Sequence, residues 1–145
     1  MIRRAEATDI ADIAALAAQL GGVDEAQTFP ARLQRLLEHA SHAVFAGLRD
    51  DAEGKHAVAG FAAAEHRLAV QGEWVEITAL VVDADARGQG LGAQLVAAVE
   101  AWSARRGVAR IVVRSNVLRE ASHPFYLGLG YAQSKTQHVY AKSLR

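Results

Sequence analysis

The chain of 145 residues contains no cysteine, only two prolines and a single methionine. The absence of cysteine excludes disulfides, thiolate zinc sites, iron–sulfur clusters and a cysteine nucleophile. Long apolar runs are also missing, since no stretch approaches the roughly 20 residues that a membrane-spanning helix needs. The two arginines near the start are not followed by the apolar segment of a secretory signal. We therefore expect a soluble, cytoplasmic protein that does not associate with membranes.

Neither sign of charge is in excess, because sixteen Lys and Arg balance sixteen Asp and Glu. A neutral total lacks the basic surplus that is typical of nucleic-acid-binding proteins, so we expect no nucleic-acid partner. The total conceals an uneven distribution: residues 1–86 carry 7 basic and 14 acidic side chains, and residues 87–145 carry 9 basic and 2 acidic ones. Net charges of −7 and +7 favour an anionic ligand on the second half and a cationic ligand on the first. The basic side chains expected near the anion are Arg87, Arg110, Arg114 and Arg119, and the acidic ones expected near the cation are Asp24, Glu25 and Glu76.

Hydrophobic residues make up 51% of the chain, and 31 of them are alanine. The larger apolar residues that remain are enough for one core, which predicts a single domain over residues 1–145. Apolar spacing predicts the element order β-α-α-β-β-β-α-β-α-β-β, with Thr8 as the N-cap of the first helix. An α/β fold with a mixed, partly parallel sheet of about seven strands flanked by about four helices follows from this order. The predicted strands are residues 2–4, 43–48, 57–69, 74–82, 110–114, 131–134 and 138–142, and the predicted helices start near residues 8, 29, 90 and 123.

A glycine-rich loop joins the fourth predicted strand to the third predicted helix. Glycines let a phosphate approach the backbone, and a helix N-terminus offers N–H donors with partial positive charge. An arginine in the loop adds a fixed charge. The pattern therefore predicts a phosphate or pyrophosphate site, with a glycine-punctuated helix start as the structural alternative. The loop sequence is Arg87-Gly88-Gln89-Gly90-Leu91-Gly92.

Two other phosphate-binding motifs fit this loop poorly. A P-loop requires Gly-Lys-Ser/Thr, and no lysine lies in the region. A dinucleotide fingerprint can be aligned on Gly88, Gly90 and Ala93, with Arg114 as a 2′-phosphate contact. That fingerprint starts directly after a strand, whereas five residues, 83–87, intervene here.

The same loop resembles the central signature of the GNAT N-acetyltransferases: Gln or Arg, two residues, Gly, one residue, then Gly or Ala. A second block of that family is also matched, by Asn116, Phe125-Tyr126 and Leu129-Gly130-Tyr131. The resemblance covers residues 74–131 and implies the GNAT fold, acetyl-CoA as co-substrate and an amine as acceptor. It also implies that the pyrophosphate binds residues 87–92 and that the pantetheine follows the backbone of residues 80–82. The implied cofactor-binding residues are Leu80, Val81, Val82, Arg87, Gly88, Gln89, Gly90, Leu91, Gly92 and Asn116.

Tyr126 is the candidate general acid, because the departing thiolate needs a proton and the family places a tyrosine at this position. Pro124 fits the first helical position and His123 the N-cap, which predicts that Tyr126 lies in the first turn of a helix. A phenol near a helix N-terminus is suited to proton donation. The alternative is a core tyrosine with a satisfied hydroxyl.

Glu76 is the candidate general base, because the attacking amine must lose a proton. Strand alternation predicts that Glu76 shares a face with Thr78 and Leu80, and some members of the family carry a glutamate at an equivalent place. The alternatives are a solvated glutamate and deprotonation through a water chain. For Asn116, the alternative to pantetheine binding is a turn at the end of a strand.

The resemblance identifies the chain as a small bacterial-type N-acetyltransferase that acetylates a primary amine with Tyr126 as general acid. The acceptor is expected to be a small cationic molecule, such as an aminoglycoside, polyamine or amino acid, with a peptide or protein amine as the alternative. A CoA-binding regulatory module without turnover is the alternative from another class. A homodimer is compatible with the family. No metal is expected, since His39 and His42 lack a carboxylate pattern that would complete a site.

Overall fold

The structure is a computed structural model that describes residues 1–20, 28–114 and 122–144. The predicted order is confirmed from the first strand to the fourth helix, and most ends agree within two residues. Short 3₁₀ turns span Ala7–Asp9, Ala18–Leu20 and Ala84–Ala86. The strands are β1 (Ile2–Arg4), β2 (His42–Asp50), β3 (His56–Ala69), β4 (Gly72–Val82) and β5 (Ile111–Val113), and the helices are α1 (Ile10–Ala17), α2 (Phe29–Glu38), α3 (Leu91–Arg105) and α4 (Ser122–Gly128).

The five strands form one sheet in the order β1-β2-β3-β4-β5. Strands β1 to β4 are antiparallel to their neighbours, and β5 is parallel to β4. The parallel pair follows from the connection, because α3 carries the chain from the end of β4 back to the start of β5. The predicted α/β class with a mixed, partly parallel sheet is therefore confirmed.

Helices cover both faces of the sheet. On one face, α1 and α2 pack against alternate residues of β2, β3 and β4. We call this the α1/α2 face. The opposite face packs against α3. The core on the α1/α2 face consists of Ile13, Leu16, Ala17, Leu33, Val44, Phe61, Ala63 and Val81.

Two glycines bring α3 close to the sheet. Gly47 and Gly60 are direct cross-strand partners on β2 and β3. A Cβ on Gly47 would lie 2.9 Å from Cδ1 of Leu91, the first residue of α3, and a Cβ on Gly60 would lie 3.3 Å from the Leu91 and Leu95 side chains. The start of α3, and with it the glycine-rich loop, is therefore positioned by the absence of side chains at residues 47 and 60.

The predicted N-cap at Thr8 is wrong, because Thr8 lies inside the turn Ala7–Asp9. The buried carboxylate of Asp9 organises this turn instead: it accepts a hydrogen bond from the Glu6 backbone N–H at 2.8 Å and two from Arg3, at 2.7 and 2.9 Å. These hydrogen bonds, and those from Arg3 above all, lower the pKa of Asp9, although burial acts in the opposite direction. The turn is thereby anchored to β1 before α1 begins.

Contacts divide the chain into two units, Met1–Arg114 and Ser115–Arg145. In the second, the described residues form α4 and a segment, 131–144, without helix or strand. The strands predicted at residues 131–134 and 138–142 are therefore absent, and the described sheet has five strands rather than about seven. Apolar side chains of this segment, such as Val139 and Tyr140, are about nine-tenths exposed. Alternating polarity alone does not form a strand without a neighbouring strand to pair with.

No helix within residues 1–20, 28–114 and 122–144 is both long and apolar enough to cross a membrane.

Candidate active site

Strand β4 contains a bulge at its centre. Ala63 of β3 pairs with Ala79, but the next residue, Ala64, pairs with Ile77, so Thr78 is an extra residue on β4. Beyond the bulge β4 continues to Val82, whereas its pairing with β5 covers only residues 75–77. In the described part of the chain, the β5-side edge of residues 78–82 therefore has no strand partner. Such an edge presents backbone N–H and C=O groups that an extended ligand can pair with.

The bulge changes which residues share a face with Glu76. Glu76 pairs with Glu65, and both residues lie on the α1/α2 face, together with Ala79 and Val81. Leu80 pairs with Ala62 on the opposite face. The prediction that Glu76 and Leu80 lie on the same face is wrong, because the extra residue at Thr78 inverts the alternation beyond it.

The Glu76 carboxylate is almost fully buried and is held through one oxygen. Its Oε1 accepts hydrogen bonds from the Trp74 indole N–H and from Arg114 Nε, both at 3.3 Å, and lies 3.8 Å from Arg67 NH1. Oε2 accepts no hydrogen bond from the described residues. The side chain of Glu76 is 11% exposed, against 43% for Arg67 and 51% for Arg114. One oxygen of a fixed carboxylate is therefore available to a ligand.

Arg114 was expected near the anionic ligand, and the structure pairs it with Glu76 instead. It directly follows β5, whose residue Val112 pairs with Glu76. In parallel neighbours, residues two positions apart lie on one face. Arg114 is thereby brought to the bulge, away from the loop that follows Val82.

The glycine-rich loop follows β4 after the 3₁₀ turn Ala84–Ala86. Gly88 and Gly90 adopt left-handed conformations, with φ of +80° and +81°. A Cβ at either position would have no atom of the protein within 4 Å. The backbone therefore requires glycine at both residues for its conformation, and the space beside them is open.

Gly90 is also the N-cap of α3, and no side chain caps the first turn of the helix. The first N–H groups of a helix need partners from outside the helix. Together with the open space at Gly88 and Gly90, this end of α3 fits a phosphate, because its N–H donors and its dipole favour an anion. The predicted phosphate-binding loop thus has the backbone geometry that its sequence requires.

Two arginines hold the loop in place. Arg87 Nε donates a hydrogen bond to the Val82 carbonyl at 3.3 Å, and Arg49 of β2 donates one from NH1 to the Asp85 carbonyl at 3.0 Å. Ala86 is buried between them. Both guanidinium groups are therefore within the loop region, where they add positive charge.

Tyr126 lies in the second unit, as the fifth residue of α4. The helix starts at Ser122, so Pro124 and His123 lie inside it, and the prediction that Tyr126 occupies its first turn is wrong. Its carbonyl instead ends the helix by accepting hydrogen bonds from the N–H groups of Leu129 and Tyr131. The phenol is half-buried, and its ring meets Phe125 and Tyr131 edge to face, with centroids 5.0 and 5.9 Å away. Burial raises the pKa of Tyr126, so the hydroxyl keeps its proton at neutral pH.

Several predicted residues lie outside the described residues: Asn116, the expected pantetheine contact, and the charged residues Asp24, Glu25 and Arg119. His39 and His42 have rings 4.8 Å apart, and His42 pairs with Glu65 at 3.1 Å. Among the described residues no group of three or more His, Asp or Glu could hold a metal ion.

The sequence prediction missed the surroundings of Glu76. Neither Trp74 nor Arg67 is among the candidate residues that the sequence predicts. The turn at residues 70–71 carries the missing signal: with Ala69 opposite Gly72, counting back along the hairpin places Arg67 opposite Trp74 and Glu65 opposite Glu76.

A model of the acetyltransferase (GNAT) family matches residues 9–131. No curated protein matches the chain. Among solved structures, AAC(6′)-Iy in complex with the bisubstrate analogue CoA-S-monomethyl-acetylneamine has a TM-score of 0.85 at 22% identity, covering 99% of this chain and 97% of that one.

Two further structures are similar. The aminoglycoside 6′-N-acetyltransferase AAC(6′)-IG from Acinetobacter haemolyticus has a TM-score of 0.86 at 17% identity and covers 100% of this chain and 99% of its own. Glucosamine-6-phosphate N-acetyltransferase from Arabidopsis thaliana has a TM-score of 0.77 at 20% identity and covers 99% of this chain and 98% of its own. At such identities these structures establish the likeness of the fold alone.

Proposed function

The chain belongs to the acetyltransferase (GNAT) family, and we propose that it transfers the acetyl group of acetyl-CoA to the primary amine of a small cationic molecule. One observation carries the proposal: the edge of β4 at residues 78–82, which pairs with no described strand on the β5 side, is followed after one 3₁₀ turn by a glycine loop that opens a helix with glycine as its N-cap. An extended thioester arm next to a diphosphate is the kind of ligand that needs these two features side by side.

Each part of acetyl-CoA has candidate partners in this chain. The β4 backbone at residues 80–82 is suited to the amides of the pantetheine arm, and the loop and first turn of α3 are suited to the pyrophosphate. Asn116 is a further pantetheine contact implied by the family motif. The residues proposed to bind acetyl-CoA are Leu80, Val81, Val82, Arg87, Gly88, Gln89, Gly90, Leu91, Gly92 and Asn116.

Bound acetyl-CoA supplies the thioester carbonyl that the amine attacks and the thiol that leaves. A backbone N–H within residues 80–82 is positioned on the strand edge to donate a hydrogen bond to the developing oxyanion. Such donors act without reorganisation, because the sheet fixes them before the ligand binds.

Glu76 is the proposed general base. An alkylammonium ion must lose a proton before it can attack, and a carboxylate with one uncommitted oxygen accepts it directly or through one water. Burial against the α1/α2 face supports this role, because a carboxylate shielded from bulk water interacts more strongly with a cationic acceptor.

Tyr126 is the proposed general acid, which protonates the departing thiolate. The support is chemical and sequence-based: the family motif matches at Phe125-Tyr126, and the raised pKa of Tyr126 keeps the proton on the phenol at the pH of the reaction. The thiolate that leaves when the thioester breaks is the conjugate base of a thiol with an ordinary pKa of about 8.5, so it takes up a proton at neutral pH.

The cationic character of the acceptor is inferred from charge. Residues 1–86 carry a net charge of −7, from 7 basic and 14 acidic side chains, and this half includes the helices of the α1/α2 face. The names of AAC(6′)-Iy and AAC(6′)-IG, which are aminoglycoside acetyltransferases, agree with a small polyamine-like acceptor. A peptide or protein amine is the second candidate.

The acceptor class is tested by incubating the protein with acetyl-CoA and three sets of amines, and by identifying the acetylated products by mass spectrometry. The sets are aminoglycosides and polyamines, neutral amines of similar size, and peptides with free N-termini or lysines. We expect the cationic small molecules to react fastest at low salt, with the advantage decreasing as salt is added. Equal rates for neutral and cationic amines would contradict the charge argument, and preferential acetylation of peptides would favour the second candidate.

A further inference from the structure

Glu76 faces a carboxylate of the same charge across the sheet. Glu65 on β3 is its direct cross-strand partner, and both side chains lie on the α1/α2 face. Opposed carboxylates at this spacing destabilise a strand pair unless a cation lies between them. Arg67 supplies that cation, because its Nε lies 3.4 Å from Glu65 Oε1 and its NH1 lies 3.8 Å from Glu76 Oε1.

Trp74 holds Arg67 and Glu76 at the same time. It is the cross-strand partner of Arg67, whose guanidinium carbon lies 5.8 Å from the centre of the indole ring. The indole N–H donates to Glu76 Oε1 at 3.3 Å. The ring therefore orients the guanidinium by a cation–π contact while its N–H fixes the same carboxylate oxygen.

The contacts all converge on Oε1. A carboxylate held through a single oxygen keeps a defined rotamer and directs its other oxygen away from the cluster. His42, which pairs with the far side of Glu65 at 3.1 Å, and Arg114 complete the charged groups around this level of the sheet.

From this arrangement we infer that Arg67 and Trp74 are positioning residues, which hold Glu76 by Oε1 so that Oε2 is presented to the acceptor amine. The inference rests on the proposed role of Glu76 as base. Neither residue has to touch the acceptor, and their effect on turnover is exerted through the carboxylate.

The test compares kcat and KM for a reactive amine in the wild type, Arg67→Gln, Arg67→Lys and Trp74→Phe. The Gln variant removes the guanidinium, and the Phe variant removes the indole N–H together with part of the ring system. We expect Arg67→Gln to lower kcat/KM about two- to fivefold at neutral pH, as for other partly exposed ion pairs. This loss should fall on kcat rather than on the affinity for CoA, because Arg67 acts on the carboxylate and not on the cofactor site.

The Lys variant should restore part of this loss, since it keeps the charge without the planar fork. Trp74→Phe should lower kcat/KM about two- to tenfold, from the loss of one hydrogen bond. The matched control is Arg4→Gln. Arg4 also lies over an aromatic ring, that of Phe45, at 5.6 Å, but on the α3 side of the sheet. The Arg4 variant should leave kcat/KM unchanged.

A double-mutant cycle separates positioning from a general structural effect. In the Glu76→Gln background, Arg67→Gln should cause no further loss, because there is no carboxylate left to position. An equal loss in both backgrounds, with Glu76→Gln itself strongly impaired, would overturn the inference and leave the proposed base intact. Wild-type turnover in Glu76→Gln would overturn the base assignment itself, and the positioning role with it.

Discussion

A Cβ on Gly60 would lie 2.8 Å from the carbonyl oxygen of Val81 on the neighbouring strand. Val81 belongs to the segment of β4 that is proposed to bind the pantetheine. The close approach of β3 at Gly60 therefore fixes the position of this segment's backbone. The clash is with backbone, which cannot rotate away as a side chain can.

Gly60→Ala should therefore weaken CoA binding and lower the free energy of unfolding, by about 1–3 kcal/mol for an overpacked site. Gly47→Ala is the matched comparison, because Gly47 is the cross-strand partner of Gly60 and the atoms nearest to its Cβ belong to the Leu91 side chain, at 2.9 to 3.3 Å, rather than to backbone. Isothermal titration with CoA and denaturant unfolding measure both effects. A larger loss of CoA affinity in Gly47→Ala than in Gly60→Ala would contradict this account of β4.

Two glycine substitutions should separate an effect on stability from an effect on CoA binding. Gly90→Ala places a Cβ on a residue with a φ of +81°, which costs about 1–2 kcal/mol. Gly54→Ala imposes the same strain at a φ of +80° in the turn between β2 and β3. Both variants should lose similar stability, but only Gly90→Ala should lose CoA affinity. Equal CoA affinity in the two variants would show that the loop does not bind the pyrophosphate.

Tyr126→Phe tests the general acid. Removing the hydroxyl should lower kcat by roughly 10²-fold, the lower end of the usual contribution of acid–base catalysis. CoA affinity should change little, because the ring and its contacts with Phe125 and Tyr131 remain. Tyr140→Phe, at a residue that is 90% exposed, is the control and should behave as the wild type. Unchanged turnover in Tyr126→Phe would exclude it as the acid.

His42 predicts how stability depends on pH. Burial lowers the pKa of His42 despite the attraction of Glu65, so the unfolded chain binds a proton more readily than the folded protein does. The free energy of unfolding should therefore fall as the pH drops below the unfolded value of about 6.5, and level off below the folded pKa. His42→Gln should reduce this fall and leave the dependence above pH 8 unchanged. An unaltered slope between pH 5 and 7 would contradict the assignment.

Residue spacing was sufficient to predict the elements that carry the proposed CoA site. Long apolar repeats locate α3 and β4, and glycines at residues 88 and 90 locate the loop, because only glycine adopts its backbone conformation readily. These are local properties, which one segment of sequence determines. The order of elements through α4 follows from the same local patterns.

The bulge at Thr78 could not be predicted in this way. Alternation along residues 74–82 reads as one regular strand, and the extra residue becomes visible only when β4 is aligned with β3. The bulge changes a functional conclusion, because with it Glu76 shares its face with Ala79 and Val81 rather than with Leu80. The side chains that contact Glu76 could not be predicted for the same reason, because Arg67 and Arg114 reach it from other strands.

Helix α4 shows a different limit. Proline is common at the first position of a helix, but it is tolerated throughout the first turn. Helix α4 begins at Ser122, two residues before Pro124. Tyr126 is therefore at the end of the helix rather than near its start. The argument for Tyr126 as proton donor then rests on the family motif and on burial, which raises its pKa and keeps the phenol protonated, and not on the helix dipole.

The central claim is acetyl transfer from acetyl-CoA to an amine, and one measurement tests it most directly: release of free thiol from acetyl-CoA, with and without amine, in a preparation whose CoA affinity is determined in parallel. We predict that the protein binds CoA and that thiol release rises with the concentration of a small cationic amine. CoA binding without thiol release for any amine would contradict the claim and identify a CoA-binding module without turnover.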